Sequence, residues 1–122
     1  MLIAVWIVSG LLALAYLFSG GTKVVQPHEK VKLTMTFAED FKPWQVKTIG
    51  VLEVLGAIGL ILPALLSIAP ILTPIAATGL AIIQVGAIIV HVRRHDDPKR
   101  LPVNVILLLA AVFVAVARFA GV

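Results

Sequence analysis

The chain has 122 residues, 61% of them hydrophobic and 13% charged, with a mean hydropathy of +1.10. A soluble domain carries about 25% charged residues, so the composition excludes one and identifies a membrane protein. Ten Lys and Arg against six Asp and Glu give a net charge of +4, but they lie in short segments between apolar runs rather than on the exposed basic face that nucleic-acid binding needs. The absence of cysteine excludes disulfide exchange, thiolate nucleophiles and Cys-ligated clusters within this chain.

The first apolar run, Leu2 to Gly20, is close to the ~20 residues a spanning helix needs. No basic segment precedes it and it is longer than the apolar part of a secretory signal, so a retained span is expected. Gly20-Gly21 then ends the helix, and Lys23 just beyond complements the terminal carbonyls. Residues 21–43 form a charged loop at the water interface. Pro27 opens a short interfacial helix there whose Val31, Met35, Ala38 and Phe41 share a face. The run Val31 to Phe37 also alternates with the period of a strand, but no second strand-like segment exists to pair with it.

Pro43 suits the first position of a helix and Trp44 the membrane boundary, so a second span runs from about 44 to 65. The uncharged stretch Leu66 to Pro74, with two prolines, reads as a tight turn between antiparallel helices. Thr73 as N-cap and Pro74 as first residue start a third span over about 74–92, with a start at Pro70 as the alternative. The run Arg93 to Arg100 is a third, basic loop, and Pro102 opens a fourth span ending near Phe119. Only helices satisfy every backbone group of an open chain in lipid, which makes the expected class all-α: four transmembrane helices in an antiparallel up-down bundle, one domain over 1–122, with a short interfacial helix in the first loop. Nine of the ten basic residues lie at loops one and three and only Arg118 lies on the other side, so those loops are expected in the cytoplasm and both termini outside.

At 100° per residue each span carries one stripe of polar and small residues. Ser9, Tyr16, Gly20 and Lys23 share a face of the first; Gly50, Glu53, Ala57 and Ala64 of the second; Thr73, Ala77, Gln84, His91 and His95 of the third; Asn104, Ala111, Ala115 and Arg118 of the fourth. A bundle interior needs such stripes when the remaining surface faces lipid. Glu53 is ten residues past Pro43 and Gln84 ten before Arg94, which places both about 15 Å deep, near the midplane of a ~30 Å core. His91 and Asn104 lie within about 5 Å of the boundary. The pattern predicts a ligand pocket open to the cytoplasm and closed above, with Tyr16, Glu53, Gln84, His91 and Asn104 as candidate binding residues.

Glu53 is the only carboxylate in its span. It reads equally as a protonated acid hydrogen-bonded to Tyr16 or Gln84 between helices, or as a ligand or proton site. Gln84 fits interhelical bonding as well as ligand contact. His91 and His95 are spaced to share a metal, but with no third ligand at matched depth they read as a solvated pair at the interface. Lys47 and Arg118 are expected to snorkel to their interfaces, and the glycine pairs at Gly56 and Gly59 and at Gly79 and Gly86 permit close helix approach, within the bundle or across a homodimer or larger complex.

Gly20-Gly21-Thr22-Lys23, Glu39-Asp40-Phe41-Lys42-Pro43, the run Gly50 through Pro63 around Glu53, and His91-Val92-Arg93-Arg94 stand in an order and spacing that resembles the DoxX-like family of small four-helix bacterial membrane proteins. The resemblance covers nearly the whole chain. It implies a multi-pass protein of the bacterial cytoplasmic (inner) membrane with an accessory role in a membrane redox or quinone-linked complex, and hence a quinone or long-chain lipid as ligand. Without a thiol, the chain is not expected to catalyse sulfur chemistry itself. A proton-linked transporter titrating on Glu53 and a purely structural membrane partner are the alternative readings.

Overall fold

The computed structural model describes residues 1–95 and 101–121. Among them lie α1 (Leu2–Val25), α2 (His28–Thr34), a 3-10 helix at Thr36–Asp40, α3 (Pro43–Leu66), α4 (Leu72–Arg94) and α5 (Leu101–Phe119), and no strand. The four helices α1, α3, α4 and α5 are long and apolar enough to cross a bilayer. The distal part of the third loop, 96–100, lies outside the described residues.

The four long helices form an antiparallel up-down bundle. α1 packs on α3, α3 on α4, α4 on α5, and α5 returns to α1. Leu12, Tyr16, Leu60, Leu80 and Val114 fill the centre together with Ala57, Ala77 and Ala111, while Leu11, Leu55, Ile82, Val116 and many like them point outward. Lipid tails are as apolar as leucine, so hydrophobicity does not select the inward face; close packing of small residues and interhelical polar contacts do.

Three local features differ from the sequence expectation. α1 does not stop at Gly20-Gly21 but runs to Val25. A glycine inside a helix costs about 1 kcal/mol relative to alanine, and here it permits a close crossing: a Cβ on Gly20 would lie 2.6 Å from the Gly50 carbonyl oxygen, and one on Gly50 2.7 Å from Lys23 Cβ. The glycines mark a helix contact, and Lys23 is carried inside the helix. α4 begins at Leu72 without a side-chain cap, and Thr73 is buried with its hydroxyl unbonded; the chain winds into the helix from Pro70, whose carbonyl accepts the Thr73 N–H at 3.2 Å. Finally, the interfacial segment is helical as expected but in two pieces, broken at Met35. Its apolar face holds across the break, since Val31 and Ala38 bury against Val46 of α3 with Met35 and Phe41 beside them. Arg94 at the end of α4 ties this segment down, with Nη1 2.6 Å from Asp40 and Nη2 3.7 Å from Glu39.

Candidate ligand site in the bundle core

The polar stripes converge on one cluster. On α1, Tyr16 and Lys23 are two turns apart and share a face; α3 contributes Glu53, its eleventh residue of 24; α4 contributes Gln84. Because Gly20 and Gly50 let the two backbones touch, the Lys23 ammonium reaches the Glu53 carboxylate and forms a buried ion pair, while donating a second bond to Ser19 Oγ at 3.0 Å. Lys23 is 7% and Glu53 2% exposed. This corrects two expectations: Glu53 is not a lone acid without a counter-charge, and Lys23 does not serve the end of its helix. Lys47, expected to snorkel, fills that role by donating to the Val24 carbonyl at 3.0 Å, one of the carbonyls a helix end leaves unpaired.

Tyr16 is buried and spans the bundle: its hydroxyl donates to the Leu80 carbonyl of α4 at 3.5 Å. The Gln84 side chain lies within hydrogen-bonding reach of that phenol, and Glu53 is close enough to act on it electrostatically. Gln84 is 6% exposed and its Oε1 has no hydrogen-bond partner. Leaving a buried acceptor unpaired costs about 1–3 kcal/mol, so this atom marks a place where a donor belongs.

The cluster thus unites Tyr16, Glu53 and Gln84 and adds Lys23 and Ser19, which sequence reasoning left out. The signal for Lys23 was present, since it shares a face with Tyr16 and Gly20. His91 and Asn104 stand apart. His91 is half-buried two turns beyond Gln84 on α4, and Asn104 is half-buried two turns before the core residue Ala111 on α5, each about 10 Å along its helix from the interior layer. His95 is exposed, and among the described residues no group of three metal-ligating side chains converges.

At the basic end Lys23, buried against Glu53, occupies the α1–α3 side of the cluster. Toward the other end the cluster is bounded by Leu12, Ala13, Leu60 and Ala77. Beyond that apolar layer sit Ser9 and Thr73, buried hydroxyls without a partner, and Arg118, whose guanidinium lies 4.8 Å from the Trp6 ring centroid.

The DoxX-like family model matches residues 7–114, a stretch that includes the whole cluster. Comparison with curated proteins and with solved structures finds no match.

Proposed function

The chain belongs to the DoxX-like family of membrane proteins, and from that premise we propose that it is an accessory subunit of a membrane redox complex whose core holds the head group of a quinone. The observation that carries this reading is the unpartnered Gln84 Oε1, buried beside the Tyr16 phenol. A glutamine amide offers an N–H to a quinone carbonyl and an oxygen to a quinol hydroxyl, so one side chain serves both forms of a ligand that exchanges acceptor for donor when reduced. Mid-bundle burial favours a neutral head over a phosphate, since an ion without water or a counter-charge is expensive there. The Lys23 and Glu53 pair holds its charges together at the wall of the site and links α1 to α3.

A path carrying protons through the bundle fits less well, because Leu12, Ala13, Leu60 and Ala77 separate the cluster from Ser9 and Thr73. In this reading the basic end faces the cytoplasm, the membrane is the bacterial inner membrane, and the electron-transfer groups belong to partner proteins in a homo- or hetero-oligomeric complex.

The test is the quinone content of protein purified from native membranes. Wild type carries quinone; Gln84→Leu and Glu53→Gln each lose it by up to about tenfold, the size of one buried hydrogen bond. Equal quinone content in wild type and both variants would sink the reading.

A further inference from the structure

We propose that the ligand enters this core sideways from the bilayer, between α3 and α4, with the Leu80 side chain as the door and with a single apolar tail left lying in a groove outside it. The inference rests on the head-group reading above and adds a tail site and an entry route to it.

Lys23 and Glu53, both buried, occupy the α1–α3 side of the cluster toward its basic end, and the apolar layer around Leu12 and Leu60 lies toward the other end. The remaining boundary is lateral. Between α3 and α4 the surface carries a groove of about 510 Å³ with an apolar lining that runs from Leu55 and Gly56 to Leu66 and Ile68, some 15 Å along the helix axis. It is there because Gly56, Gly59 and Ala76 put little or nothing where other residues would put side chains; a Cβ on Gly59 would lie 2.8 Å from Ala76 Cβ.

Leu80 lies between the groove and the polar cluster, behind the groove residue Gly56. A Cβ on Gly56 would lie 2.7 Å from Leu80 Cδ2, so that side chain caps the inner end of the groove. The carbonyl of the same residue accepts the Tyr16 hydroxyl, and Gln84 is one turn further along α4. In this proposal the Leu80 side chain swings aside to join the groove to the unpartnered Gln84 oxygen. The only hydrogen-bonding demand at the inner end is that of a small neutral head, and the groove outside makes none.

The occupant is thus a quinol with one long alkyl or prenyl tail, whose ring hydroxyl donates to Gln84 Oε1. A phospholipid would bring a phosphate into the buried core, and a helix of a second copy would cover the groove while leaving Gln84 Oε1 unsatisfied. Both are outcomes the test separates.

The experiment uses the full-length purified protein and two probes, a dimethoxy-methyl-benzoquinol with a decyl tail and the same head without it, both kept reduced by dithionite under argon, with binding read by equilibrium dialysis. Ala76→Phe fills the groove from α4 and Leu62→Trp from α3; either one decides if the other does not fold. The tailed probe binds wild type more tightly than the tail-free one, and both fillers weaken it at least about tenfold while leaving the tail-free probe unchanged, because each buried methylene contributes about 0.8 kcal/mol. If the fillers leave the tailed probe unaffected, or if the tail adds nothing in wild type, while Gln84→Leu still weakens binding, the groove is an annular lipid or helix contact and only the head site survives. If wild type binds neither probe, or Gln84→Leu binds both like wild type, the head-group reading fails and takes this one with it.

Discussion

Lys23 and Glu53 have to be considered as a pair, because removing one buried charge leaves the other buried without its counter-charge. Breaking such a pair from one side costs about 3–5 kcal/mol, whereas replacing both members by apolar groups of similar volume is often neutral. Lys23→Met is therefore expected to lower stability by that amount, and the double variant Lys23→Met with Glu53→Leu to recover most of it, measured by denaturant titration in mixed micelles. A double variant as unstable as the single one would show that the ion pair is not what Lys23 contributes. Both residues stand in the sequence with their faces readable: Tyr16, Gly20 and Lys23 recur at helical spacing, and Glu53 is the one acid in its span. Their partnership is not readable, because it depends on α1 continuing through two glycines that, taken locally, end a helix. His91 and Asn104 show the opposite limit. Periodicity gives the face a residue occupies, but whether its side chain reaches the common centre depends on helix tilt and register, which one helix's spacing does not contain.

At the scale of elements, glycine sorts the contacts that hold the bundle from the surfaces that face lipid. Gly50 sits where an added methyl group would meet Lys23 Cβ at 2.7 Å and the Gly20 oxygen at 2.8 Å, while Gly79 has nothing within 4 Å. Gly50→Ala must push α1 from α3 and is expected to cost about 1–3 kcal/mol; Gly79→Ala removes only the glycine's entropic penalty and is expected to be neutral or to stabilise by up to about 1 kcal/mol. Thermal unfolding of the two variants in one detergent checks the contrast, and equal losses would mean that α4 has a neighbour at Gly79. The first loop argues similarly. Val31 and Ala38 bury against Val46, and Arg94 holds Asp40 and Glu39, so Arg94→Ala is expected to speed amide exchange over 28–40 while leaving exchange in α1 and α3 unchanged. The shared face of Val31, Ala38 and Phe41 is legible in the sequence. The break at Met35 is not, since helical and strand-like spacing coincide from Val31 to Phe37 and contact with α3 favours the helical form.

For the whole molecule the strongest asymmetry is electrical. Among the described residues, seven of the eight Lys and Arg lie at one end of the bundle, and the α3–α4 turn, which holds Ser67 and Pro70 at the opposite end, carries no charge. Basic residues near span ends resist export, so the end with Lys30 and Arg93 is expected in the cytoplasm and the Ser67 turn outside. The absence of cysteine makes this directly measurable, because each introduced thiol is the only one. Ser67→Cys, at an exposed turn residue, is expected to react with a membrane-impermeant maleimide on intact cells, and Lys30→Cys, also exposed, only after lysis. The orientation has a consequence for the ligand. The groove between Leu55 and Ile68 lies in the half of α3 nearest the Ser67 turn, so a tail seated there occupies the outer leaflet while Lys23 lies toward the cytoplasmic end of the cluster. Labelling of Lys30→Cys on intact cells would invert this arrangement and move the entry route to the inner leaflet, leaving the bundle and its polar cluster as they are.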